Sequence, residues 1–136
     1  MRNSQRNPTH KRELRLKHLL GAGRGIGQQI ALHFALAGAG TIILLDLAVA
    51  NLTETIKLCE EHGSQPLPFA CNVSRQEQVD SVFDEIFSKV GDIDILINVA
   101  GVCNAKPILL ETYATIWKDI EVNLGGVRSY PCLHSS

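Results

Sequence analysis

Residues 21–27 read Gly21-Ala22-Gly23-Arg24-Gly25-Ile26-Gly27, and their place between a short apolar run and a helical pattern decides the fold. Glycines 21, 25 and 27 give a G-x-x-x-G-x-G spacing. Glycines here permit a tight reversal and a close approach of backbone to a phosphate. The helix that follows turns its free N–H groups and the positive end of its dipole toward the same phosphate. A glycine loop alone is a weak signal. It gains weight from Asp46, which ends the apolar run Thr41-Ile42-Ile43-Leu44-Leu45 and lies 19 residues beyond Gly27. That is near the spacing of about 20 expected of an acid that accepts from a ribose hydroxyl.

Working outward, hydrophobic periodicity sorts the chain into alternating elements. Residues 25–37 read as a helix with Ile26, Ile30, Phe34 and Ala37 on one face, ended by the glycines at 38 and 40. Residues 41–46 read as a parallel strand buried on both faces. Residues 51–62 read as a second helix, with Asn51 as its cap and Gly63 at its stop. A strand is expected over residues 67–71. Ser74-Arg75-Gln76-Glu77 reads as a capping box opening a helix with Val79, Val82, Phe83, Ile86, Phe87 and Val90 on one face. Residues 93–98 are expected to form a further buried strand. Residues 109–124 are expected to form a helix with Trp117, Ile120 and Leu124 on one side.

The pattern is that of an α/β fold, a Rossmann-like doubly wound parallel sheet of about four strands, incomplete at its end. The strand preceding Gly21 fits least well, because Arg15, Lys17 and His18 are costly to bury in a central strand. Either that strand is only about three residues long, or it is damaged.

The composition, 45% hydrophobic and 20% charged, is that of a folded domain, and 136 residues suffice for one. The net charge of −1 conceals an asymmetry. Residues 1–18 carry six Lys/Arg against the single acid Glu13, and the remainder carries seven basic and thirteen acidic residues. A basic head on an acidic body argues for an unfolded tail over residues 1–13 and against a nucleic-acid-binding domain. The head is Arg-rich and acid-poor, which is compatible with a mitochondrial address; a cytoplasmic location is the simpler expectation. Cys59, Cys71, Cys103 and Cys132 are widely spaced, with no C-x-x-C pair, so neither a zinc cage nor a disulfide framework is expected, and no metal site. The mostly apolar residues 30–50 are interrupted by Gly38, Gly40 and Asp46, which argues for helix, turn and strand over a membrane span.

With these residues in place, the chain resembles the short-chain dehydrogenase/reductase family. The stretch Gly21 to Gly27 is similar to that family's T-G-x-x-x-G-I-G loop, with Leu20 in place of the Thr. Asp46 matches the acid ending the family's second strand, and Asn72-Val73 resembles its Asp-Val after the third. Asn98-Val99-Ala100-Gly101 resembles N-N-A-G after the fourth, and Val122-Asn123-Leu124 resembles its V-N-L segment. The resemblance covers residues 21–126, with residues 14–126 as the partial dinucleotide-binding domain and 127–136 as a tail outside the pattern. It implies an NAD(P)-dependent oxidoreductase whose cofactor is held by Gly21, Arg24, Gly25, Ile26, Gly27, Asp46, Asn72, Val73, Asn98, Ala100 and Gly101. Asn72 in place of Asp keeps an oxygen able to accept from adenine. Val99 in place of the second Asn, and Leu20 in place of Thr, each remove a polar group that supports the loops. Asp46 would repel a 2′-phosphate and favours NAD; Arg24 points toward NADP, the less favoured choice.

The family's mechanism uses a Ser, a Tyr and a Lys in Y-x-x-x-K, and an Asn. Asn123 is the only counterpart present. The 13 residues after it leave no room for the crossover of about a dozen or more residues that the next parallel strand needs. Ser129, Tyr130 and His134 are poor substitutes, since Pro131 disfavours helix at Tyr130. The chain is therefore expected to be catalytically incompetent alone, with Asn123 bonding nearby backbone instead. The 93–98 strand and the 109–124 helix would leave apolar side chains exposed. The alternative is a non-enzymatic module that binds dinucleotide or pairs with a full-length relative or another copy through that open edge.

Overall fold

The structure, a computed structural model, describes residues 19–128. The basic head and the residues of the tail beyond 128, including Ser129, Tyr130, His134 and Cys132, lie outside the described residues, as do residues 14–18 of the expected first strand.

Three strands form a parallel sheet in the order β1-β2-β3: β1 Leu19–Leu20, β2 Thr41–Asp46 and β3 Gln65–Ala70. β2 is a run of aliphatic residues with both faces covered, Ile42 to Leu45 being fully buried. Ile42 and Leu44 face one core, and Ile43 and Leu45 face the other, as the two-residue period of a strand requires. β3 contains Pro66 and Pro68, which pair with Ile42 and Leu44 of β2. Proline donates no hydrogen bond to a ladder, so two at alternate positions suit a strand with β2 on one side and no further strand on the other among the described residues. This edge position lets β3 begin at Gln65, two residues before the expected start.

Helices α1 Gly25–Leu36 and α2 Thr53–Glu61 cover one face of the sheet, and α3 Gln76–Val90 covers the other. The doubly wound arrangement expected from the sequence is thus present. α3 buries Val79, Phe83 and Ile86, with Val82, Phe87 and Val90 packed beside them, as its periodicity predicts. On α1 the expected face is rotated. Gly27, Ala31 and Ala35 are buried, Ile30 and Phe34 flank them, and Ile26 and Ala37 face outward. Three small residues at four-residue spacing let the helix axis approach the sheet more closely than a stripe of large residues would.

Two helix starts differ from expectation for a common reason: a polar side chain found a better partner outside the helix. Asn51 lies in a 3₁₀ turn, Val49–Leu52, and donates to Asp46 instead of capping α2. The Ser74 hydroxyl donates to Asn72 Oδ1 at 2.7 Å, and α3 opens at Gln76 with no side-chain cap.

The segment 93–98 is not a strand. It runs without a ladder apart from an isolated β-bridge at Asn98, and Ile95 and Asn98 are exposed. A strand buried on both faces needs hydrogen-bonding partners along its edges, and among the described residues this segment has no ladder partner beyond that bridge. The last helix also begins later than expected, at Tyr113. Thr112 caps it, forming a reciprocal pair with Thr115, after a 3₁₀ turn at Ile108–Leu110. α4 Tyr113–Ile120 continues through a π-turn, Glu121–Gly125, into α5 Gly126–Arg128.

Candidate cofactor-binding site

The glycine loop is pinned from below by the end of β2. Gly21 N and Ala22 N both donate to Leu45 O, at 2.9 and 3.1 Å, and Gly23 N donates to Asp46 Oδ2 at 3.0 Å. Gly21 has a φ of +69°, and a Cβ there would lie 2.8 Å from the backbone of Ala100. The loop therefore presses directly on the 98–101 segment, and only glycine fits. A Cβ on Gly27 would land on the carbonyl oxygen of Gly21, so α1 leaves the loop with its first turn against the preceding backbone. No side chain caps α1, and its first turn holds no acid. Its leading N–H groups are those an anion would use.

Asp46, at the end of β2, is the carboxylate of the site. Besides Gly23 N, it accepts from Leu47 N at 2.9 Å and from Asn51 Nδ2 at 2.7 Å, both on Oδ1. Arg24, exposed at the N-cap of α1, forms no ion pair among the described residues. A hydroxyl from α2 also supports the loop. Thr55 of α2 is fully buried, donates from Oγ1 to Ala22 O at 2.8 Å, and accepts a long bond of 3.4 Å from Gln28 Nε2.

On the other side, Asn72 follows β3 and Val73 is buried beneath α5, where Gly126 leaves room for its side chain. Asn72 Oδ1 accepts from both Ser74 N and Ser74 Oγ, so the oxygen expected to face adenine already holds two bonds. Its Nδ2 makes no hydrogen bond among the described residues. Val99 packs against the α1/α2 core and Ala100 against the α3 core, so the 98–101 segment is wedged between them, with Asn98 and Gly101 exposed. Asn123, in the π-turn, bonds Val102 in both directions. Its Nδ2 donates to Val102 O and its Oδ1 accepts from Val102 N, each at 2.8 Å. The expectation that Asn123 bonds nearby backbone matches this geometry.

The sequence singles out neither Gly23 nor Thr55, and it gives Asn51 the role of a helix cap and not of a partner to Asp46. Gly23 was one more glycine in a glycine-rich loop. Asn51 reads as a helix cap, and its bond to Asp46 depends on the 3₁₀ turn; Thr55 carries no pattern of its own, because it acts on a residue far along the chain.

A family model described as short chain dehydrogenase matches residues 18–130. The chain belongs to the short-chain dehydrogenase family. Short-chain dehydrogenase/reductase 3 from Homo sapiens is 34% identical to it over 121 residues, covering 88% of this chain and 40% of that protein. Among solved structures, L-sorbose reductase from Gluconobacter frateurii, complexed with NADPH and L-sorbose, superposes with a TM-score of 0.74 at 31% identity, covering 85% of this chain and 44% of that one. An alcohol dehydrogenase from Thermococcus sibiricus, complexed with 5-hydroxy-NADP, superposes with a TM-score of 0.77 at 28% identity, covering 85% and 49%. This short-chain dehydrogenase chain thus spans less than half the length of these relatives. No helix among its described residues is long and apolar enough to cross a membrane, and no group of His, Cys, Asp and Glu among them is arranged to hold a metal ion.

The residues present fit a dinucleotide. The loop has room only for glycine where backbone approaches backbone, α1 offers an uncapped N-terminus, and a fixed carboxylate stands at the loop's edge.

Proposed function

We propose that this chain is the nucleotide-binding part of an oxidoreductase, that it takes NAD in preference to NADP, and that its 136 residues do not turn over a substrate by themselves. The observation that carries the cofactor preference is the Asp46 carboxylate, fixed 3.0 Å from Gly23 N beside the open end of α1. An acid there accepts from a ribose 2′-hydroxyl and repels a 2′-phosphate. The NADPH and 5-hydroxy-NADP of the two similar structures, and the free Arg24, favour the phosphorylated cofactor. Asp46 outweighs Arg24 because three hydrogen bonds hold it in place, whereas Arg24 is solvated and unpaired among the described residues.

When bound, the nicotinamide ring gives or takes the hydride of the oxidoreduction. The chain's own residues bind and orient it. Gly21, Gly25, Ile26 and Gly27 offer backbone to the pyrophosphate, and Asn72 and Val73 flank the adenine, with Asn72 Nδ2 as the remaining donor. Asn98, Ala100 and Gly101 wall the far side. Asn123 is committed to Val102 in both directions and positions that wall; it does not handle a proton.

Calorimetric titration of the 136-residue chain is expected to show tighter binding of NAD⁺ than of NADP⁺. Asp46→Ala should weaken NAD⁺ about tenfold, as loss of one charge-assisted hydrogen bond does. Equal affinities in the unsubstituted chain, or an unchanged NAD⁺ affinity in the variant, would overturn the cofactor assignment. Oxidation of simple alcohols by the chain, lost on Asn123→Ala, would overturn the statement that it is inactive alone.

A second reading, a module that pairs with another copy or with a longer relative, is favoured by one observation. Tyr113, Trp117 and Leu124 on the last helix are 78%, 49% and 62% exposed.

A further inference from the structure

Asp46 is held by an unusual set of donors. Gly23 N bonds one of its oxygens, and Leu47 N and the Asn51 amide bond the other. Two of the three are backbone groups that any residue would supply. The third, Asn51 Nδ2 at 2.7 Å, is the shortest of the set and depends on a side chain. The three residues are closely packed. A Cβ on Gly23 would lie 2.7 Å from Asp46 Oδ2 and 2.9 Å from the Asn51 carbonyl oxygen. The 3₁₀ turn that contains Asn51 is what returns the chain to the carboxylate five residues after leaving it.

An ionised carboxylate has about four lone-pair directions. Two on Oδ1 are taken by Leu47 N and Asn51 Nδ2, and one on Oδ2 by Gly23 N. One acceptor direction remains, on the oxygen next to the glycine loop. Without Asn51, Oδ1 keeps only Leu47 N and Oδ2 only Gly23 N, so the carboxylate is held less firmly about its last torsion, which is broad for Asp, and can turn its charge partly away from a ligand.

We propose that Asn51 is a positioning residue for cofactor selection. Its amide locks the Asp46 carboxylate so that one acceptor faces a ribose hydroxyl and the charge cannot swing away from a 2′-phosphate. This rests on the reading that Asp46 meets the ribose. Asn51 then enforces selectivity without touching the cofactor. Its removal lowers NAD⁺ affinity modestly and raises tolerance of NADP⁺, because a less firmly held Asp46 can retreat while the free Arg24 pairs with the phosphate.

The test is calorimetric titration of the full 136-residue chain and of Asn51→Ala, Asp46→Ala and the double variant with NAD⁺ and NADP⁺, alongside thermal unfolding by circular dichroism. Asn51→Ala is expected to reduce the ratio of NADP⁺ to NAD⁺ dissociation constants about tenfold, with little change in unfolding temperature, since the side chain is exposed. Adding it to Asp46→Ala is expected to change the ratio no further, because Asn51 acts through Asp46. An unchanged ratio in Asn51→Ala, with Asp46→Ala still collapsing it, overturns the role of Asn51 alone. An undiminished effect of Asn51→Ala in the Asp46→Ala background also overturns it. Failure of NAD⁺ to bind, or a ratio unmoved by Asp46→Ala, overturns the parent reading and this one together.

Discussion

Thr55 is a small residue with a long reach. Its fully buried hydroxyl ties the first turn of α2 to the carbonyl of Ala22 across 33 positions of sequence. Replacement by Val keeps the volume and removes the donor, leaving a buried carbonyl without its partner. Thr55→Val is expected to lower stability by about 1–3 kcal/mol, measured by urea denaturation. It should also weaken dinucleotide binding, because the carbonyl belongs to the glycine loop. A variant as stable as the parent would show that the bond contributes nothing. At this scale the sequence was legible where chemistry is carried by residue type. The glycines and Asp46 stood out because each needs a backbone conformation or a charge that few residues supply. Thr55 did not, and Asn51 stood out only as a cap, since an amide and a hydroxyl are common everywhere and only their partners give them a role.

At the scale of elements, β2 is legible as an unbroken aliphatic run and α3 by its periodic buried face; α1 and α2 are legible as helices, though α1 turns a different face inward and Asn51 does not cap α2. The last helix was legible in kind but not in extent. Its cap, Thr112, sits three residues inside the expected start, and a π-turn at residues 121–125 interrupts it at Asn123. No residue of α4 is fully buried, and Trp117 stacks on Tyr113, with ring centroids 5.9 Å apart and 10° between planes. Unpartnered aromatic surface of this kind favours association. Trp117→Glu is expected to shift the chain toward monomer in sedimentation velocity at concentrations where the parent associates. Identical distributions for the two would remove the support for a pairing module. The segment 93–98 was misread because its aliphatic residues have the composition of a buried strand, and a strand also needs a neighbour.

For the whole molecule, β2 is the centre. Its alternate residues feed two cores, one under α1 and α2 and one under α3. Cys59 lies in the first core, fully buried, and burial followed by the charge of Glu60 pushes its thiol from an ordinary 9.0 up to about 11. Burial likewise raises the Cys71 thiol in the second core. The folded protein therefore resists losing these protons, while the unfolded chain loses them near the ordinary value. The contribution of the Cys59 thiol to stability is fully present below pH 9.0 and is lost as the pH rises toward about 11. The loss attributable to Cys59 should be about 2–3 kcal/mol, and Cys59→Ala should flatten the decline in denaturation experiments run at several alkaline pH values, from a lower starting stability. A decline equally steep in the variant would assign it to other groups.

The sequence by itself determined the family, the alternation of strands and helices, the glycine loop and the acid that faces it. These depend on local needs: a turn only glycine can make, a period matched to one buried face, a charge at a strand's end. Only the tertiary structure decided that Thr55 supports the loop and Asn51 the carboxylate, and that Asn123 clamps Val102. It alone left residues 93–98 without a ladder. Thr55 and Asn123 bond residues distant in sequence, and Asn51 reaches Asp46 only because a 3₁₀ turn folds the chain back; hydrogen bonds and strand edges are completed in space, where the order of residues carries no mark of them.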